Sequence, residues 1–74
     1  MTKYELATIL QQMYNNSSNE KVTMIHLFGI KYAQEIKEIK VSPKEIVTLA
    51  KLPESYKTEV SKGIKLAKYV KVIN

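Results

Sequence analysis

The chain has 74 residues, enough for one domain and no second, and a domain of this size buries only about 60% of the surface its unfolded form exposes, so its core is thin. It contains no cysteine, which excludes disulfide staples, thiol-ligated zinc and thiol catalysis, and no apolar run approaches the roughly 20 residues of a membrane helix. Its 12 basic residues are all lysine and its 7 acidic residues all glutamate, giving a net charge of +5; without arginine, any reading of base edges falls to Lys, Ser, Thr, Asn, Gln or Tyr.

Thr2, followed three residues later by Glu5, forms a capping box, and Leu6, Ile9, Leu10, Met13 and Tyr14 recur at the spacing of one helical face. This predicts a first helix over about residues 3 to 14. The segment opens without the apolar stretch of a signal peptide, so the expected location is the cytoplasm. Asn15-Asn16-Ser17-Ser18-Asn19 then predicts a turn, because these short polar side chains bond their own backbone.

A second helix is predicted over about residues 20 to 38, capped by Ser18 or Asn19. Val22, Ile25, Gly29, Tyr32, Ala33, Ile36 and Ile39 form one stripe, and Met24, Leu27 and Phe28 add a second apolar flank. Such a helix belongs at the centre of its domain. Gly29 costs about 1 kcal/mol relative to alanine in mid-helix. That cost points to a close crossing by another helix in preference to a break in this one.

Ser42-Pro43-Lys44-Glu45 is the strongest helix start: a serine cap, proline at the first helical position and a glutamate placed to close the capping box. The third helix, about residues 43 to 51, should bury Ile46, Val47, Leu49 and Ala50. Leu52-Pro53-Glu54 predicts the turn, since a residue before proline is pushed out of the helical region. A fourth helix follows, from Glu54 or Ser55 to about Val72.

At 100° per residue the fourth helix puts Tyr56, Val60, Gly63, Ile64, Ala67 and Val70 toward the core. Lys57, Ser61, Lys65 and Lys68 share a neighbouring side, with Thr58 and Lys62 just beyond. Leu66, Tyr69 and Ile73 form a third group that the core stripe cannot use. They imply a second interface, with a two-fold mate or another protein, unless the first helix folds over them. The fold class expected is all-α: a compact four-helix domain containing a helix-turn-helix, with no β-wing.

The stretch Ile25-His26-Leu27-Phe28-Gly29-Ile30-Lys31-Tyr32-Ala33, with Ser55-Tyr56-Lys57-Thr58-Glu59-Val60-Ser61-Lys62-Gly63-Ile64-Lys65-Leu66-Ala67-Lys68-Tyr69-Val70, resembles a group of small bacterial proteins with a helix-turn-helix-like domain. The resemblance covers about two thirds of the chain and implies association of some members with restriction or other defence genes. Its motifs are structural. The chain departs from the commonest helix-turn-helix pattern by carrying Val47 where alanine is usual and by a turn, Lys51-Leu52-Pro53, that lacks glycine.

Catalysis is not expected, since one histidine with no cysteine, no aspartate and no Gly-rich phosphate loop assembles none of the usual constellations. No cofactor and no small-molecule ligand are expected either, because so small a chain leaves little room for a concave pocket. His26 reads as a structural histidine. Glu35 and Glu38, close in sequence to Lys31, Lys37 and Lys40, read as ion-pair partners, and the tyrosines at 4, 14, 32, 56 and 69 mostly take core spacings.

The expected function is DNA binding, with a protein-interaction module of accessory or antitoxin type as the alternative. Under the first, the third helix crosses the phosphate backbone and the fourth presents Ser55, Lys57, Thr58 and Ser61 to base edges, while Lys44, Lys62, Lys65 and Lys68 neutralise phosphates. Under the second, Leu66, Tyr69 and Ile73 dock a partner and no DNA is touched.

Overall fold

The computed structural model describes residues 1–73, which form four α-helices and no strand: α1 (Lys3–Asn15), α2 (Lys21–Ile39), α3 (Pro43–Leu49) and α4 (Lys57–Leu66), the last preceded by a 3-10 turn over Glu54–Tyr56. The all-α, four-helix expectation holds. α2 is central, packing against α1 on one side and most extensively against α4 on the other, while α3 touches both α1 and α4.

The starts of α1 and α3 follow from local chemistry. Thr2 Oγ1 accepts from the Glu5 backbone N–H at 3.1 Å, and the Thr2 N–H donates to Glu5 Oε1 at 2.8 Å, which holds the Glu5 carboxyl below its ordinary value. Ser42 Oγ accepts from the Glu45 N–H at 3.1 Å. The second half of that box does not close, because the Glu45 carboxylate goes instead to Lys3 Nζ, 2.6 Å away, tying the first turn of α1 to α3. At α2 neither Ser18 nor Asn19 is the cap. Glu20 takes that position without a side-chain hydrogen bond, Ser18 adopts φ 54°, and the buried Ser17 hydroxyl donates to the Tyr14 carbonyl at 2.6 Å.

The core is assembled from Leu6 and Leu10 of α1, Ile25, Phe28 and Ile36 of α2, Ile46 and Val47 of α3, and Val60 of α4, all fully or almost fully buried. Phe28, placed by periodicity on a secondary flank, lies at its centre, whereas Val22 of the main stripe is exposed. Leu49 is half-buried at the margin. Tyr14 and Tyr56 close one end of the core edge to face, ring centres 5.5 Å apart, with Lys21 Nζ 4.2 Å from the Tyr14 ring centre.

Gly29 marks the crossing its position predicts. A methyl group built on it would lie 2.7 Å from the Val60 carbonyl oxygen and 2.9 Å from Gly63 Cα, and one on Gly63 would strike the His26 carbonyl. Each glycine therefore lets the other helix's backbone approach. α2 leaves ideal geometry only at Tyr32, φ −110° and ψ 16°, where the Phe28 and Tyr32 rings lie 5.4 Å apart.

Two boundaries differ from expectation. α3 ends at Leu49, in a Schellman closure: the Leu52 N–H donates to the Val47 carbonyl at 3.0 Å and the Lys51 N–H to the Thr48 carbonyl at 3.1 Å, with Lys51 at φ 61°. Lys51 thus occupies the left-handed position that glycine usually takes. α4 ends at Leu66 instead of continuing to Val72. Tyr69 and Ile73 stand almost wholly in solvent and Val70 is about half-covered, so the segment gains little burial, and β-branched Val70, Val72 and Ile73 have too little intrinsic helix preference to make up for it.

Candidate nucleic-acid interface

The Gly29–Gly63 contact fixes which face of α4 turns outward. With Val60 and Gly63 buried against α2, Lys57, Thr58, Lys62 and Lys65 are exposed and Ser61 is half-buried between them. Lys68 lies exposed in the turn that follows α4. Ser55 belongs to the 3-10 turn and not to α4, yet it is exposed at the leading end of the same element. Lys44 projects from the first turn of α3, one helix away. The eight residues nominated from sequence all reach the surface, Ser61 least.

Their charges are not all free. Glu54, at the start of the 3-10 turn, lies 3.1 Å from Lys57 Nζ and 3.6 Å from Lys44 Nζ. The hydrogen bond from Lys57, then the charge of Lys44, hold its carboxyl below the ordinary value, so it is ionised at neutral pH. Glu59 draws Lys62 Nζ to 3.7 Å. Lys65 and Lys68 have no carboxylate partner among the described residues. Sequence spacing hid the Glu54 bridge, because its two lysines come from different helices.

His26 bears out its structural reading. It is half-buried, with Nε2 2.6 Å from Glu59 Oε1. Chiefly through that hydrogen bond the Glu59 carboxyl is held below its ordinary value, so Glu59 is the ionised acceptor and His26 Nε2 carries the proton. The contact pins α2 to α4 beside the glycine crossing. Glu35 and Glu38, by contrast, form no ion pair with Lys31, Lys37 or Lys40 among the described residues. Of the tyrosines, Tyr14, Tyr32 and Tyr56 are half-buried, but Tyr4 and Tyr69 stand in solvent.

A short capped helix, a tight closure and a second helix whose outer face is basic and hydroxylated make up a helix-turn-helix arrangement. Residues 2–73 match the family model described as an HTH-like domain. The chain belongs to that family. No curated protein and no solved structure matches it. In this HTH-like domain α3 and α4 follow one another across that closure, packed beside α1 and α2, and Lys51 holds the left-handed position where glycine is usual.

Leu66, Tyr69 and Ile73 are 42%, 83% and 94% exposed, so α1 does not fold over them. Only Leu66 is helical; the other two follow α4, so the three do not form a single helix face as their spacing predicts. No group of three or more His, Cys, Asp or Glu side chains among the described residues is arranged to hold a metal ion, and no helix of the described residues is long and apolar enough to cross a membrane. An open groove of about 780 Å³ runs between the C-terminal half of α2, the entry to α3 and one edge of α4.

Proposed function

We propose that this chain binds duplex DNA, with α4 as the recognition element in the major groove and α3 crossing the phosphate backbone. The observation that carries the reading is the outward face of α4, where Lys57, Thr58, Ser61, Lys62 and Lys65 stand opposite the Gly29–Gly63 contact. Membership of the HTH-like domain family supports it. Ser55, Lys57, Thr58 and Ser61 address base edges, and Lys44, Lys62, Lys65 and Lys68 address phosphates.

Lysine lacks the planar fork with which arginine grips guanine, so sequence discrimination is modest and most of the affinity is electrostatic. A cytoplasmic regulator of transcription, or an accessory of a bacterial defence system, would use such an interface. Leu66, Tyr69 and Ile73 then serve as the contact with a two-fold mate, which sets the spacing of two half-sites. The role is one of binding and not of catalysis. Alanine at Lys65 or Lys68 is expected to weaken all duplexes alike, whereas substitution of Lys57 or Thr58 changes sequence preference; fluorescence anisotropy on a panel of duplexes tests the distinction. Equal effects of all four substitutions on every duplex would remove the base-reading role of α4.

A second reading is favoured by the exposure of Tyr69 and Ile73 alone: a protein-interaction module that docks its partner through this C-terminal patch. Absence of DNA binding at low salt, together with capture of a partner lost on Tyr69→Glu, would put that reading first.

A further inference from the structure

The groove beside α4 has a chemistry that phosphate binding does not call for. Its floor is apolar, formed by Ala33 of α2, Pro43 at the start of α3, and Ile64 and Ala67 of α4 and its cap. Two lysine pairs spaced i, i+3 flank it as cationic walls: Lys37 of α2 with its C-cap Lys40, and Lys65 of α4 with Lys68 in the turn that follows. No carboxylate lines the groove, and none of these four lysines is ion-paired among the described residues. Phosphates need only the lysine tips. An apolar floor between two cationic walls is complementary to something apolar along its middle and anionic along both edges.

We propose that this groove docks an acidic amphipathic helix of a protein partner, its apolar stripe on Ala33, Ile64 and Ala67 and its glutamates or aspartates on the two lysine pairs. The groove is open to solvent and not enclosed, which suits a helix laid into it. Charge complementarity identifies the partner class: cationic walls select carboxylates on both flanks of the stripe and repel basic helices. Lys65 and Lys68 also belong to the DNA-contacting set, so the docked helix and a duplex exclude each other. The docking itself does not depend on DNA being bound.

The probe is a synthetic helical peptide of about 18 residues, with leucine at i, i+4 and i+7 and glutamate on both flanks, titrated into the isotope-labelled full chain and followed by amide chemical shifts. Saturable shifts centred on Ala33, Ile64 and Ala67 are expected. The pair Lys37→Gln and Lys40→Gln, exposed and outside the DNA-contacting set, should weaken binding roughly fivefold to tenfold. A control peptide with serine for each leucine and the same charge should not saturate. Equal binding by that control, scattered shifts over every lysine, or no weakening in the double variant would overturn the proposal. So would a duplex that shifts Ala33 and Val41 where the peptide does not, which would give the groove to nucleic acid.

Discussion

Gly29 and Gly63 face each other across the α2–α4 crossing, with Gly63 Cα 2.9 Å from where a methyl group on Gly29 would sit. The other atoms such a methyl would meet, the Val60 carbonyl oxygen and the Ile64 backbone nitrogen, also belong to the α4 main chain and have no side-chain freedom to yield. Gly29→Ala should therefore destabilise by about 3 kcal/mol despite alanine's better helix propensity, because separating the helices loosens everything packed on Phe28. Urea unfolding followed by circular dichroism measures it. An unchanged or raised midpoint would mean that the helices do not cross at these residues.

Lys51 is exposed, unpaired among the described residues, and held at φ 61°, a conformation costing a residue with a Cβ about 1–2 kcal/mol. Lys51→Gly removes that strain and gives back part of it through a more disordered unfolded chain. A net stabilisation of about 0.5–1 kcal/mol is expected in the same urea assay, and a destabilised variant would contradict the Schellman closure between α3 and α4.

Lowered carboxyl values at Glu5, Glu54 and Glu59 set the acid limb of stability. Each contributes stability that is present above its unfolded value near 4.5 and is lost as pH falls through the lower folded value. Lys3 and Tyr56, both raised, the first by the Glu45 hydrogen bond and the second by that of Tyr14, contribute stability present below about 10 and lost as pH climbs through their folded values. Thermal melts should show a plateau from about pH 5 to 9 with a fall at each end. In His26→Ala the Glu59 carboxyl resonance should titrate closer to 4.5, since His26 is the main cause of its depression; an unmoved midpoint would show that the contact is not formed in solution.

Glu54 holds Lys44 and Lys57 at 3.6 Å and 3.1 Å, so under the proposed DNA-binding role it would compete with phosphate for both. Glu54→Gln frees both cations and removes a negative charge from the proposed DNA-facing surface. Duplex affinity at low salt should rise roughly twofold to fivefold, the scale of one or two exposed ion pairs. A weaker complex in anisotropy would place the 3-10 turn away from the backbone.

The exposed trio Leu66, Tyr69 and Ile73 predicts self-association, since burial against a mate contributes roughly 1.5–3 kcal/mol per large apolar side chain. Sedimentation equilibrium should find a dimer that Tyr69→Glu converts to a folded monomer. Wild-type protein that stays monomeric at high concentration would contradict it.

Features set within a few residues of chain were legible in the sequence. Thr2 with Glu5 and Ser42 with Glu45 act across a single helical turn, Leu6 with Leu10 and Ile46 with Ala50 repeat at i, i+4, and Gly29 pointed to a crossing because its cost in mid-helix calls for a compensating close contact. What spacing could not supply was contact between segments far apart in sequence. Glu45 completes a box on paper but is taken by Lys3, and Glu59 is taken by His26; Glu54 bridges two helices. α4 ends at Leu66, earlier than its periodicity predicts, for the related reason that periodicity marks a face without saying whether anything lies against it. The groove was invisible because its walls come from both ends of the helix-turn-helix and from α2.

The central claim, that α4 and α3 hold DNA chiefly by its phosphates, is met most directly by the salt dependence of binding to random-sequence duplex. With about four to six phosphates neutralised at about −0.9 each, log K against log salt should fall with a slope of about −4 to −5, and the slope should become shallower by about one in Lys65→Ala. A flat response, or no complex at the lowest salt, would contradict it.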